Sequence, residues 1–510
     1  MHAFGMKRRK LASLAALKGT LLAATLFAAP AFAQSVSADG AKQLQDSLTK
    51  TFGPALFDKG IVSITPQGSA YAVKLDLTPT FAHIKKSGVT VSMDPITYLA
   101  TPNADGTYAV TSESPFNYSF AKTEGDDQSS VKFTAACKSS GTFDPKLSVF
   151  SSYETTCPSA SAAVSSPQSD ATVSVGAITS KITGVAGNGG GVTISTAGTM
   201  SDFVETIVGK DKPLTIKVTA KTATSESTAE NFQIGTVLDI IGIAAKAGDK
   251  ADIAAQQGDI KQKLTAALPL WNNLSGKVTL NGVNVDTPIG PVTLDSIEEN
   301  VGLTGAVKQA SYGLGIKYNG LKLPDTPVIP AWAGPLVPAQ GNIALKFEGV
   351  DLDALARLAI QNFDVTKEPP IPDEVSAQAL QIVMGGQPHV TLSPSTLSAP
   401  AGALSAEGSM NVFPDKKGTV IISTADLDKL SDALGKAQVP NMPMLVAFAK
   451  GLAKTADGKA VWAIDFDGDT KAVSINGQVL NPGTAPGGDD SDNGGNGAGG
   501  GDDNNNNNAQ

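Results

Sequence analysis

The sequence predicts an α+β fold dominated by β-structure: an extended, curved antiparallel sheet laid out as a meander, with several flanking helices and a disordered C-terminal tail. Three observations predict it. Segments such as Tyr71–Leu77 alternate apolar and polar residues with period two, which is typical of half-buried strands. Similar short strands recur, as at Val278–Gly282 and Val473–Gly477. After Pro482 the composition is dominated by Gly, Asp and Asn, which cannot build a core.

The N-terminus has the three parts of a secretory signal peptide. Lys7–Lys10 is a basic region, Leu21–Ala29 is an apolar run, and a small-x-small cleavage pattern ends at Ala33. We expect cleavage between Ala33 and Gln34 and export to the periplasm, with secretion or outer-membrane association as alternatives. A retained anchor is disfavoured, because the apolar run is shorter than the about 20 residues that cross a bilayer.

The predicted organisation is a signal peptide at 1–33, a β-rich domain at 34–482 and a disordered tail at 483–510, with a division near 230–275 left open. The chain has a formal net charge of −9, and residues 1–33 hold five basic and no acidic residues, so the mature charge is −14. That balance argues against nucleic acid and against an anionic membrane surface as partners. We expect no transmembrane segment in the mature chain.

Cys137 and Cys157 are the only cysteines, and an even pair in an oxidising compartment predicts a disulfide. Two unrelated buried thiols are the alternative. A simple hairpin turning near Gly141–Asp144 sets Cys137 opposite Leu147. The bridge then needs a further bend after Tyr153, or pairing across a third strand.

The elements follow from periodicity. Leu44, Leu48 and Phe52 share one helical face, and Gly53-Pro54 ends that helix. Further helices are expected at 234–268, with a break near Gly248, and at 351–363, 376–384, 425–437 and 444–454. Strands are expected at 71–77, 89–93, 116–120, 131–135, 192–195, 214–220, 277–285, 313–323, near 390 and 420, and in a final hairpin of 461–466 with 471–475. Prolines at 324–338 predict a stiff connection.

Each sequence motif that could hold a cofactor or metal is explained better by a structural role. Asp465–Asp469 places acids like a calcium loop, but Gly468 stands at the fourth position rather than the sixth, and a hairpin turn explains it. Gly187–Gly191 predicts a turn, because no Gly-Lys-Ser/Thr follows. His83 and His389, the two histidines of the mature chain, lack the neighbouring ligands that zinc requires. We therefore predict no cofactor.

The sequence also lacks a recognisable catalytic constellation. There is no Gly-x-Ser-x-Gly elbow for a serine hydrolase. Paired carboxylates act through spatial rather than sequential proximity, so a secreted hydrolase with dispersed carboxylates stays an alternative. The expectation is that the protein is not an enzyme.

The C-terminal pattern resembles that of a known family. Val461-Trp462-Ala463-Ile464-Asp465-Phe466, a glycine turn and then Val473–Gly477 are similar to the ends of the alphaproteobacterial envelope proteins called domain of unknown function 2125, with a more distant YdgA-like relative. Ala333–Pro338, which leads into a strand and a helix at Asp351, is similar to the same family. The likeness would cover most of residues 34–482.

That resemblance implies an extended curved antiparallel sheet carrying helices, with no established catalytic residues. Such sheets resemble AsmA-like envelope proteins, which are associated with lipid handling, although fold alone says little about function. The expected function is an exported, non-catalytic cell-envelope protein that binds a lipid or other apolar ligand, or an envelope protein, on its sheet. A structural envelope factor with no small ligand is a further alternative.

Overall fold

The computed structural model describes residues 36–52, 54–81, 88–124, 127–210, 214–247, 250–436 and 441–480. The predicted cleavage site between Ala33 and Gln34, His83 and the tail after Pro482 lie outside these ranges. Within them the predicted fold class is confirmed, because one large antiparallel sheet accompanied by several helices dominates the chain.

The first twelve strands are β1 Val62–Gln67, β2 Ala70–Leu75, β3 Val89–Met93, β4 Ile96–Pro102, β5 Tyr108–Glu124, β6 Asp127–Asp144, β7 Val149–Cys157, β8 Ala160–Ser165, β9 Ser169–Val175, β10 Ile178–Ala186, β11 Val192–Gly209 and β12 Thr215–Phe232. The others are β13 Asn273–Thr287, β14 Gly290–Thr304, β15 Ala310–Asn319, β16 Gln340–Val350, β17 His389–Ala399, β18 Gly402–Asn411, β19 Lys417–Thr424, β20 Lys454–Ala456, β21 Lys459–Asp467, β22 Ala472–Ile475 and β23 Gln478–Leu480.

The described helices are α1 Ala38–Phe52, α2 Ala55–Asp58, α3 Thr78–Phe81, α4 Ile234–Lys246, α5 Lys250–Ala255, α6 Gln257–Ala266, α7 Leu352–Asn362, α8 Val375–Gly385, α9 Leu427–Gly435 and α10 Met442–Leu452. Two 3₁₀ turns, η1 Asn188–Gly190 and η2 Gly334–Leu336, lie in the predicted Gly-rich turn and the predicted Pro-rich connection.

The strands form a meander in which most strands pair with their successors. β1, β2, β4, β5 and β6 are neighbours in that order. β4 pairs with the first residues of β5, and β3 pairs with its later residues, 118–122. β7 and β8 both pair with β6, and β10 and β9 both pair with β11. From β11 the order continues to β19 and then to β21, β22 and β23. β12 pairs directly with β13 although three helices separate them in the chain, so the sheet is continuous across residues 230–275.

The main core lies at the N-terminal end of the sheet, beneath α1. This helix begins after Ser37, whose Oγ accepts a hydrogen bond from the Gly40 backbone N–H at 3.0 Å and so caps an otherwise unpaired donor. Leu44 and Leu48, one helical turn apart, pack in one cluster with Val73 of β2. Leu48 and Val73 are both 0 % exposed, so α1 closes this end of the sheet as an ordinary dry core.

The structure corrects the expected position of the hairpin that carries the cysteines. β6 runs through Gly141 to Asp144, so the turn comes later, at residues 145–148. Lys138 pairs with Thr156, and the next residues outward, Cys137 and Cys157, are therefore opposite each other. Neither a further bend nor a third strand is needed, because the two cysteines already face each other across adjacent strands.

Polar strands are longer in the structure than the sequence predicts. β11 and β12, expected at 192–195 and 214–220, continue to Gly209 and Phe232. Their additional residues are rich in Ser, Thr and Glu, so apolar alternation disappears while antiparallel pairing continues on both sides. The segment 234–268 also differs, since it forms three helices rather than one or two.

Candidate ligand-binding face

The pairing register sorts the C-terminal half of the sheet into two chemically different faces. In an antiparallel pair, directly opposed residues point to the same side. Tyr312 of β15 is opposite Phe347 of β16, and Leu314 is opposite Leu345. We call this side the apolar face and the other side the polar face, where Lys317 is opposite Asn342.

Two neighbouring rows of apolar residues cross the strands on the apolar face. The first row crosses β13 to β19 and β21 to β23 through Leu274, Leu303, Tyr312, Phe347, Val390, Met410, Gly418, Phe466, Val473 and Leu480. The second row, two residues along each strand, contains Val301, Leu314, Leu345, Leu392, Gly408, Val420, Ile464 and Ile475. With neighbouring strands about 4.8 Å apart, the first row is about 43 Å long.

These rows remain accessible to solvent. Tyr312 is 47 % exposed, Met410 42 % and Leu345 41 %, whereas the core residue Leu48 is fully buried. Side chains of the apolar face that are exposed to a similar degree are Val278, Val301, Ile316, Ile343, Phe347, Leu404 and Phe466. Many of these side chains are neighbours on adjacent strands and form an extended exposed apolar surface, and large surfaces of this kind mark binding sites on soluble proteins.

A third row lies two residues beyond the second row along each strand. It contains the one charged side chain of the three rows. Glu299 of β14 lies between Val278 of β13 and Ile316 of β15, and Ile343 of β16 follows. The Glu299 side chain is exposed and makes no ion pair or hydrogen bond with the described residues. A bound apolar molecule that reached the third row would therefore lie against a carboxylate.

Cross-strand ion pairs lie on the polar face. Lys277 Nζ is 3.0 Å from Glu226 Oε2, and Lys417 Nζ is 3.7 Å from Asp467 Oδ2. Such exposed pairs stabilise the fold little. Their position shows that these ion pairs and the two uncharged rows lie on opposite faces of the sheet, so that the rows offer a surface suited to an apolar molecule.

The hairpin at Asp465–Asp469 forms as predicted. Asp467 Oδ1 accepts hydrogen bonds from the backbone N–H groups of Thr470 at 3.2 Å and Asp469 at 3.0 Å. These bonds, the Thr470 bond foremost, lower the pKa of the Asp467 carboxyl. The carboxylate therefore stabilises the turn between β21 and β22. The described residues contain no group of three or more His, Cys, Asp or Glu side chains placed to share a metal ion.

The other predicted site residues lie away from the two rows. Cys137 and Cys157 form a disulfide between β6 and β7, with Cα atoms 4.2 Å apart. His389 begins β17 on the polar face, where its Nδ1 lies 3.2 Å from the Gln387 carbonyl oxygen. Among the described residues, no helix combines the length and apolar character needed to cross a membrane.

Comparison with known proteins identifies no relative. No family model matches the chain, and neither the curated proteins nor the solved structures contain a match. The resemblance to the domain of unknown function 2125 family therefore stays a prediction.

Proposed function

We propose that the protein is an exported, non-catalytic cell-envelope protein that binds the acyl chain of a lipid along the two apolar rows. The observation that carries the proposal is the first row, in which ten paired strands place apolar side chains, with Gly418 as the one glycine, in line from Leu274 to Leu480. A periplasmic location is part of the proposal, supported by the predicted signal peptide and the disulfide.

The chemistry of the rows favours an acyl chain over a polypeptide. Strands inside a sheet already pair their backbone groups on both sides, so a ligand on the face meets side chains only. In the two rows the Tyr312 hydroxyl is the sole side-chain hydrogen-bonding group, whereas a protein partner brings polar groups that must be satisfied. Residues 481–510 contain no large apolar side chain that would match the rows chemically.

The dimensions also fit. One leaflet of a bilayer has a hydrocarbon thickness of about 15 Å, so a single acyl chain laid across the strands occupies less than half of the first row. Each buried methylene contributes about 0.8 kcal/mol, and a chain of moderate length offsets the cost of association. The mature charge of −14 favours a neutral or zwitterionic headgroup.

A titration with a fluorescent fatty acid or phospholipid tests the proposal, together with mass spectrometry of lipids extracted from the purified protein. We expect saturable binding, weakened about tenfold by the double substitution Leu345→Gln and Phe347→Gln, since each removes partly buried apolar contact. The matched control is Lys346→Gln, between them in β16 but on the polar face. Absence of saturable binding and of co-purifying lipid would contradict the proposal and favour a structural factor.

A further inference from the structure

Helix α10 presents an apolar surface of its own. Met444, Leu445 and Phe448 are 43 %, 52 % and 49 % exposed. Residues three and four positions apart are neighbours on a helix, so Phe448 lies beside both Met444 and Leu445 and the three form one patch. The one charged residue of the helix is Lys450 in its last turn.

Three hydrogen bonds hold α10 in place. Trp462 Nε1 of β21 donates to the Ala449 carbonyl oxygen at 2.8 Å, and Asn476 Nδ2 donates to the Leu452 carbonyl oxygen at 2.7 Å. Lys450 Nζ donates at 3.0 Å to Oδ1 of Asp428, in the first turn of α9. The patch therefore belongs to an anchored helix whose C-terminal half is tied to the sheet.

The helix adjoins the two apolar rows. Trp462 is on the apolar face of β21, two residues from Ile464 of the second row and four from Phe466 of the first. Through its hydrogen bond to Ala449, Trp462 thus joins α10 to the side of the sheet that carries the rows.

We infer that α10 docks the protein on a bilayer of zwitterionic lipid by inserting Met444, Leu445 and Phe448 into the headgroup–acyl boundary. Phe and Leu are among the side chains that interfacial helices bury in the headgroup–acyl boundary, and α10 has no acidic residue that lipid contact would desolvate. The tail after Leu480 has no large apolar residue that could cover the patch. The inference rests on the proposed function in one respect, which is that the bilayer supplies the lipid that binds the two rows.

The test is sedimentation of the mature protein with phosphatidylcholine vesicles. We expect the wild type to sediment with the vesicles, and Leu445→Ser with Phe448→Ser to reduce the bound fraction at least tenfold. The matched control is Leu380→Ser with Met384→Ser, which changes an equally exposed apolar pair on α8 and should leave sedimentation unchanged. Equal loss in both variants, or no loss in the α10 variant, would overturn the inference.

Trp462 provides a second readout, because its indole contacts the α10 backbone. With Trp271→Phe and Trp332→Phe, the remaining fluorescence comes from Trp462. Vesicles with brominated acyl chains should quench it, and Leu445→Ser with Phe448→Ser should abolish the quenching. A change from dimer to monomer in the α10 variant without any loss of vesicle binding would instead assign the patch to a second copy of the chain.

Failure of this inference can be told apart from failure of the proposed function. The α10 variant should still bind the soluble fatty-acid probe, because the two rows are intact. The Leu345→Gln and Phe347→Gln variant should still sediment with vesicles, because α10 is intact. Probe binding without vesicle docking by the wild type would overturn the inference alone.

Discussion

Cys137 of β6 and Cys157 of β7 are directly opposed across two antiparallel strands, with their Cα atoms 4.2 Å apart. The bridge joins the strands where β7 ends and β8 begins, one residue beyond the last paired residues, Lys138 and Thr156. It therefore fixes the register of two strands that a long β6 would otherwise allow to slip.

Replacing both cysteines by serine should lower the free energy of unfolding by about 3 kcal/mol, because the bridge closes a segment of about 20 residues in the unfolded chain. Urea denaturation of Cys137→Ser with Cys157→Ser measures the change. A reducing agent should have the same effect on the wild type and none on the double variant. Two free thiols in the unfolded, unreduced wild type would contradict the bridge.

The core and the apolar face should respond differently to truncation. Leu48→Ala should lower the free energy of unfolding by about 3–5 kcal/mol, because it leaves a cavity in a fully buried cluster. Leu345→Ala should cost about 1 kcal/mol or less, because the side chain already contacts solvent over two fifths of its surface. Denaturant midpoints of the two variants test the contrast. Equal losses would mean that the face is covered in solution.

Tyr98 should make the fold sensitive to alkaline pH. Burial raises the pKa of its phenol, and Tyr153 adds to the effect. The Tyr98 phenol therefore ionises at a lower pH in the unfolded state than in the folded state. Its contribution to the free energy of unfolding is fully present below pH 10 and is lost as the pH rises above it. Denaturation between pH 8 and 11 should show a shallower decline for Tyr98→Phe than for the wild type. Tyr312→Phe, on the exposed face, is the control and should keep the wild-type slope.

Glu299→Gln should tighten lipid binding about threefold to tenfold if the ligand reaches the third row, because the variant removes a charge that apolar contact would desolvate. Probe titration of Glu299→Gln measures the effect. Glu298→Gln changes the neighbouring residue on the polar face and should leave the affinity unchanged. Weaker binding by Glu299→Gln would show that the carboxylate instead holds a polar group of the ligand.

Much of the architecture follows from local pattern. The helix over Leu44 and Leu48 and the final hairpin are predicted within a few residues, because amphipathic periodicity and turn glycines are strong local signals. β8, β9, β10 and β18 are among the strands missing from the sequence prediction. Their Ser, Thr, Ala and Gly residues carry little alternation, and neighbouring strands define them instead.

The rows themselves could not be predicted from the sequence. Each row joins residues far apart in the chain, such as Tyr312 and Phe347, and its alignment depends on where every turn falls. The same limit applies to the cysteines: a turn placed too early and a bulge in β7 that local pattern does not reveal together moved the expected partner of Cys137 from Cys157 to Leu147. Register is a property of pairs of strands, and a single misplaced turn reverses or shifts it.

The two-residue turns of the C-terminal sheet restrict how this chain can change in length. Thr287 pairs with Gly290 and Ala399 with Gly402, so each turn determines which side chains of the following strand point to each face of the sheet. Deleting one residue within β17 would rotate its remaining side chains to the opposite side and break both rows at once, whereas the connection at 320–339 can lengthen freely. Insertions and deletions among homologous chains should therefore be concentrated in the long connections and in pairs of compensating bulges.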